Sequence, residues 1–439
     1  MSSGTTNDLT FALAAAGSRG RMFAEWLRDN YHPKAVVAVA EPNEVRRNAI
    51  AEMFHLPPDR CYSTWQEMLE QPQLANVLLD MTMDTDHFDS AIVAMRKGYH
   101  LLLEKPMATT LRECAQIEAV RRETKRIVSV CHSLRYHSVY AEVRRILRAG
   151  TIGEVVSLDQ LEAVELVHQA HSFVRGNWGR EDRSTYMLLA KSCHDIDIIA
   201  DLMDQPCVSV SSYGSLNYFN AEHAPAGAPE RCVEGCPVES SCPFNAVKIY
   251  GNGDGWAVHA GFGGMSHLEI LEALKTSPYG KCVFQTDNDV VDHQVVAMEF
   301  EGAATATFTM TAFTPWGGRY LRIHGTKGYL EARVQQCTLD LYEFWAGNRH
   351  SHIVLNEKEG GHGGADPDVI RNLIQAIQMG DPGSVLTTTS ESFRTFAIVE
   401  AAEISRRENR SIDPQELARR AGSASETAPT QVFDRNRVR

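Results

Sequence analysis

The stretch Leu9–Gly20, LTFALAAAGSRG, and the run Ala35–Glu41, AVVAVAE, decide the fold between them. An apolar strand runs into Ala15-Ala16-Gly17-Ser18-Arg19-Gly20 and then into an amphipathic helix over Arg21–Asp29. This is the dinucleotide fingerprint G-x-G-x-x-G, with Ala15 in place of its first glycine. Gly17 would let the backbone approach a pyrophosphate and Gly20 would allow close helix–strand packing. The helix N-terminus would add N–H groups and a positive dipole. The second run ends at Glu41, near the spacing for a carboxylate that binds the adenine ribose and repels the extra phosphate of NADP. Arg46, a turn later, argues the other way, and the balance favours NAD.

Outward from this pair the pattern repeats. Strands are expected at Asn76–Met81, His100–Leu103 and Ile127–Cys131, with helices over Asn43–Phe54, Thr64–Glu70, Asp86–Lys97 and Leu111–Thr124. Strands alternating with helices imply a doubly wound parallel sheet over residues 1–133. Beyond Ser133 the texture changes. A long strand over Val155–Val167 and a helix over Tyr186–Met203 precede five Thr-, Val- and aromatic-rich runs from Gln294 to Tyr342. Two closing helices fit Pro367–Met379 and Ser390–Arg407. The chain is thus α/β, with a second domain over 134–420 built on a large, mostly antiparallel open sheet. Residues 218–264, rich in Pro, Gly and Cys, read as one long loop with a short helix near Ala246–Tyr250, and 421–439 as a polar tail.

The formal net charge of −13 on 439 residues, without basic clusters, excludes nucleic acid as a partner. No run approaches the roughly 20 apolar residues of a membrane span, and the N-terminus lacks a signal-peptide pattern. A cytoplasmic protein with reduced thiols is the expectation.

At Glu104-Lys105-Pro106 the sequence becomes specific. GYHLLLEKPMATT (98–110) resembles the signature of the glucose–fructose oxidoreductase/inositol dehydrogenase (Gfo/Idh/MocA) family. So do the turn holding Thr82, Asp84 and His87, the segments HSLRYH (132–137) and GTIGEVVSL (150–158), and the helix AKSCHDIDII (190–199). The resemblance implies an N-terminal Rossmann domain and a C-terminal α/β domain with the active site between them. It also implies a homo-oligomer, dimer or tetramer, paired through the sheet face. It puts Lys105 and His194 at the reacting carbon, Thr82, Asp84 and His87 near the nicotinamide ribose, and Glu104 and Arg135 among the cofactor residues. Removing hydrogen from a secondary alcohol needs a group for the hydroxyl proton, a task suited to a lysine and a histidine.

Two departures bear on the substrate. Relatives carry an Asp four residues before this histidine; here the position is Ala190, followed by Lys191, a candidate for catalysis or substrate binding. In FVRGNWGRED (173–182), Arg175 and Trp178 suit a sugar: a flat apolar wall and hydrogen-bond donors. His293 in DNDVVDHQ and His362 in GGHGGADPD are loop-borne candidates for the substrate. Cys232, Cys236 and Cys242 in RCVEGCPVESSCPFNA leave three alternatives: a structural zinc with a ligand such as His223, a disulfide, or free thiols. No catalytic metal is expected. The sequence therefore points to an NAD-dependent oxidoreductase that oxidises a ring hydroxyl of a sugar, polyol or glycoside. The alternative is a redox-neutral glycoside hydrolase that oxidises transiently, eliminates the aglycone, adds water and re-reduces. A non-enzymatic NAD sensor is the weakest reading.

Overall fold

A computed structural model describes residues 8–251, 255–356, 358 and 360–427. The N-terminal sheet holds six parallel strands: β1 (Phe11–Ala14), β2 (Val36–Ala40), β3 (Cys61–Tyr62), β4 (Val77–Asp80), β5 (His100–Leu103) and β6 (Val128–Val130). Their order, β3-β2-β1-β4-β5-β6, reverses direction between β1 and β4. At that switch point the strand carboxyl ends open a crevice. The turn Ala15–Gly17, Thr82, Glu104-Lys105 and His132 all lie at these ends. The central strands β1, β4 and β5 are almost wholly buried, which is why they read as unbroken apolar runs. The two-residue β3 has too little pattern to be seen in sequence.

The second sheet has eight strands: β7 (Val155–Ala163), β8 (Cys207–Ser215), β9 (His293–Phe300), β10 (Thr305–Thr311), β11 (Gly318–Gly325), β12 (Gly328–Arg333), β13 (Thr338–Glu343) and β14 (Arg349–Val354). They are ordered β14-β13-β12-β11-β7-β10-β9-β8, and only the β7–β10 pair is parallel. Alternation in β9 sends Val296, Met298 and Phe300 into the core and leaves Val295, Ala297 and Glu299 exposed. Helices Ser138–Arg148, Cys193–Met203 and Thr389–Glu408 share the core with this inner face.

Several expectations are corrected. The strand from Val155 stops at Ala163, where the chain turns into a short helix and a π-helical turn over Gln169–Arg175. The edge strand β14, RHSHIV, is too polar to have been read as a strand, as suits an edge that must not pair further. The helix expected over Tyr186–Met203 is broken into Met187–Ala190 and Cys193–Met203. Within 218–264 the short helix expected near Ala246–Tyr250 is present, and a second, unexpected one runs over Trp256–Phe262; the two share a small apolar core around Tyr250. Position 421 lies inside helix Pro414–Thr427 and does not begin a tail; residues 428–439 fall outside the described residues.

Candidate active site

The glycine turn fits a dinucleotide. Ala15 takes the left-handed backbone, φ 68°, that the missing first glycine would have supplied at lower cost. A Cβ on Gly17 would meet nothing within 4 Å, so open space lies over the turn. A Cβ on Gly20 would lie 2.1 Å from the Ala15 carbonyl oxygen, so that glycine is required for packing. Among the described residues, helix Ser18–Asn30 has neither a side-chain cap nor an acidic residue in its first turn, which suits its N-terminus to an anion. Glu41 is buried and accepts from the backbone N–H of Ala16 at 2.7 Å and of Asn43 at 2.9 Å. A carboxylate has about four acceptor positions, so it keeps capacity for ribose hydroxyls. Arg46 is exposed at the rim.

Lys105 leaves the end of β5 and donates from Nζ to the Ala190 carbonyl at 2.6 Å. In an unbroken helix that carbonyl would take the N–H of His194. The break at Lys191–Ser192 therefore frees the acceptor that holds Lys105, and it turns His194 toward the crevice. His194 is buried, yet among the described residues neither ring nitrogen has a hydrogen-bond partner. Its ring lies 5.9 Å from that of His132 and 5.2 Å from that of His362. Burial, reinforced by the Lys105 charge and the neighbouring histidines, holds His194 well below the usual histidine range, so the ring is neutral at neutral pH. His132 is lowered as well, chiefly by burial.

The rest of the constellation is braced by ion pairs. Arg19 bridges Glu104 and Asp366, each at 2.6 Å, and so ties the glycine-turn helix to both strand β5 and the second domain. Asp366 also accepts from Ser133 at 2.5 Å and holds His362 at 3.0 Å. Burial disfavours the charge on Asp366, but His362 and Arg19 outweigh it and keep the carboxylate well below its usual range. His87 places its ring nitrogens 2.7 and 3.2 Å from the carbonyl oxygens of Pro106 and Thr82, so it joins the β4 turn to the Lys105 loop. Thr82 donates to Asp80 at 2.7 Å. Asp84 accepts from the Trp178 indole at 3.1 Å and from Ser184. Beside His362 a cavity of about 680 Å³ is lined by His137, Arg319, Lys358 and the glycines around His362. Its size suits a small polar ligand.

Two models of one family match the chain: "Oxidoreductase family, NAD-binding Rossmann fold" over residues 9–132 and "Oxidoreductase family, C-terminal alpha/beta domain" over 144–413. The chain belongs to the Gfo/Idh/MocA family. A putative oxidoreductase, YteT, of Bacillus subtilis is 24% identical over 345 residues, 71% of this chain and 78% of that one. Inositol 2-dehydrogenase of Salmonella typhimurium is 23% identical over 179 residues, 40% of this chain and 49% of that one. Levoglucosan dehydrogenase in complex with NADH and levoglucosan superimposes with a TM-score of 0.67 at 16% identity, covering 92% of this chain and 99% of that one. An Agrobacterium radiobacter oxidoreductase with NAD+ and L-tartaric acid also gives 0.67, at 13% identity, covering 94% and 100%. At these identities the structural likenesses speak for the fold. NAD is the cofactor of this Gfo/Idh/MocA chain, and the glycine turn, the helix N-terminus and Glu41 are the groups that fit it.

Other sequence candidates of this Gfo/Idh/MocA chain lie elsewhere or are already engaged. Arg135 is buried between Asp197 at 2.7 Å and Asp201 at 3.3 Å, inside the second domain rather than against the glycine turn. Arg175 is buried and donates to the Lys281 and Phe244 carbonyls, both at 2.7 Å, so it clamps the Cys-rich segment where a substrate contact was expected. The π-helical turn swings its side chain inward. Lys191 pairs with Glu162 at 3.1 Å, within a buried group completed by Arg319 and Asp195. His293 is hydrogen-bonded to Asp292 at 2.8 Å at the start of β9. Cys232, Cys236 and Cys242 form no disulfide among the described residues, and no set of three His, Cys, Asp or Glu there already stands in ligating geometry. Sequence reasoning passed over His132, His137, Glu162 and Arg319. The two histidines sit in HSLRYH just after β6, at a strand carboxyl end where this fold gathers its ligands, so position could have flagged them.

Proposed function

We propose that this chain is an NAD-dependent dehydrogenase of a ring secondary alcohol on a sugar, polyol or related glycoside. One observation carries the reading. His194 is buried with both ring nitrogens unpartnered among the described residues, on the helix whose broken end holds Lys105. A buried polar group without a partner costs about 1–3 kcal/mol, so a hydroxyl-bearing ligand at this point recovers stability the free fold lacks. NAD, when bound, supplies the acceptor for hydrogen leaving the carbon. Lys105 exchanges the hydroxyl proton with the substrate oxygen and donates to the charge that develops there. His194, kept neutral, fixes the hydroxyl with one ring nitrogen while His362 and His132 wall the site. Trp178, held by Asp84, offers a flat apolar face to the ring. The inositol and levoglucosan enzymes among the relatives act on such ring hydroxyls, which supports the substrate class.

The test is to add NAD and a panel of neutral and anionic sugars with their aryl glycosides, following NADH and aglycone together. NADH rising in proportion to substrate is the expected result. Aglycone released over many turnovers without NADH, and lost when NAD is stripped, would overturn net oxidation in favour of redox-neutral hydrolysis.

A further inference from the structure

The segment from Tyr218 to Phe284 contains an arrangement the oxidoreductase chemistry does not use. Cys232, Cys236, Cys242 and Cys282 line one cavity of about 20 Å³. The fourth sulfur comes from 40 residues beyond the sequence cluster, and the fold brings it there deliberately in backbone terms. Arg231 and Lys281 form an antiparallel bridge; the Cys232 N–H donates to the Gly280 carbonyl at 3.0 Å and the Cys282 N–H to the Glu230 carbonyl at 2.8 Å. Cys232 and Cys282 therefore flank this bridge as diagonal neighbours on the same face of the two segments. Cys236 and Cys242 return on the turns that follow, where Cys242 donates its N–H to the Val238 carbonyl at 2.9 Å.

We propose that these four cysteines hold a structural zinc ion, with Cys282 rather than His223 as the fourth ligand. A set of four sulfurs around a space for one ion suits tetrahedral Zn2+, and a closed set of four protein ligands leaves no open position for catalysis. Each coordinating thiol gives up its proton, so the loaded site carries a net charge of −2. The buried guanidinium of Arg175 lies 3.7 Å from the Cys232 sulfur by way of Nη2, and its Nη1 has no hydrogen-bond partner among the described residues. That cation offsets the charge. As neutral thiols the sulfurs have nothing to draw them together, and they stand around the cavity without converging. Cys236 and Cys242, half-buried on turns, have room to close on an ion.

The segment has a use for such a staple. Its apolar side chains fall into two small clusters, one around Phe219, Phe244 and Phe284 and one around Tyr250, Phe262 and Ile270. Cores this small seldom hold themselves, and a metal is a standard remedy. Cys242 and Cys282 belong to the first cluster and Cys232 to the second, so one ion ties the two. The second cluster then presents Trp256 and Tyr279 against His168 and His171, with Tyr279 stacked on His171 at 4.6 Å. This fixes the π-helical turn that leads to Trp178.

The experiment is metal analysis of the full chain, purified without a metal-affinity step, by elemental mass spectrometry. About one zinc per chain is expected. His223→Ala and Cys61→Ser should keep it and Cys282→Ser should lose it, and cobalt-exchanged protein should show thiolate-to-cobalt charge-transfer absorption. The wild-type measurement needs no variant to fold. A zinc-free protein whose four thiols react freely overturns the proposal. So does a mass deficit of two hydrogens per bridge, which means disulfides, or iron with acid-labile sulfide, which means a cluster. Retention of zinc by Cys282→Ser alongside its loss in His223→Ala overturns the ligand assignment.

Discussion

Two buried polar groups flank the helix break at Lys191–Ser192, and they are built on opposite rules. On one side Glu162 and Asp195 face Lys191 and Arg319, two carboxylates against two cations, with contacts of 2.7 to 3.1 Å; Gln160 adds a bond to Asp195 at 2.6 Å. On the other side, among the described residues, His194 has no partner on either ring nitrogen and His132 lacks one on Nδ1. The first group balances its charges internally, although Glu162 Oε2 makes only an ion-pair contact to Arg319, and it holds β7, β11 and the helix together. The second is left open inside a well-packed fold, at a cost in stability. Residue type alone does not separate them, since a lysine on that helix and a histidine three positions on look equally catalytic in sequence. The charges packed around each group do, because a charge already neutralised by an ion-pair partner has little left to offer a substrate.

That contrast can be broken or sharpened by mutation. The largest effect is expected from Lys105→Met and His194→Ala, each lowering kcat/KM on an accepted sugar by about 10²–10⁴-fold with the thermal midpoint nearly unchanged. Steady-state rates and calorimetry on the same preparations check this, and a lowered midpoint with intact turnover would reverse the assignment of the two groups. Asp195→Ala should do the opposite, costing about 3–5 kcal/mol in urea unfolding because it leaves Arg319 buried and under-compensated. An unchanged midpoint there would show that the charge-balanced group is not what holds the sheet to the helix.

A third prediction concerns pH. Burial lowers His100, His137 and His171 from an ordinary value of 6.5 to about 4, with Arg126, Arg319 and Arg175 respectively adding to the effect. The unfolded chain takes up protons below about 6.5 that the folded chain refuses until about 4. Stability should therefore be full above the upper value and fall as pH drops through that window. Urea midpoints at pH 7 and pH 5 measure the loss, and equal midpoints would mean the rings are solvated. The smallest effect is expected from Ala15→Gly, which relieves a left-handed backbone at an alanine and should gain up to about 1 kcal/mol. A loss there would mean that the glycine's greater freedom in the unfolded chain outweighs the strain relieved.

Much of the N-terminal half was legible. The β1 turn, the positions of β2, β4, β5 and β6, and the helices between them were readable because a parallel sheet covered on both faces needs unbroken apolar strands with amphipathic connections. Glu104-Lys105-Pro106 stood out through its resemblance to the family signature, at a strand's carboxyl end. The second half was harder. Strand β8, CVSVSSYGS, has little intrinsic strand character and forms because β9 pairs with it along its length. Arg135 and Arg175 looked like ligand-binding cations because sequence shows a charge but not its partner. Asp197, the Lys281 carbonyl and the Phe244 carbonyl lie tens of residues away and are brought close only by packing.

The amino-acid sequence by itself determined the α/β class and the dinucleotide turn with its alanine in a glycine's place, while its resemblance to the family put forward Lys105 and His194 as candidates. The class and the turn depend on local spacing, which one segment of chain carries whole. The tertiary structure decided which charged groups are spent on one another, where the helix breaks to hold Lys105, and that Cys282 joins three distant cysteines. Each is a matter of partners far apart in the chain, and a partner's distance is fixed only when the sheets and helices have packed.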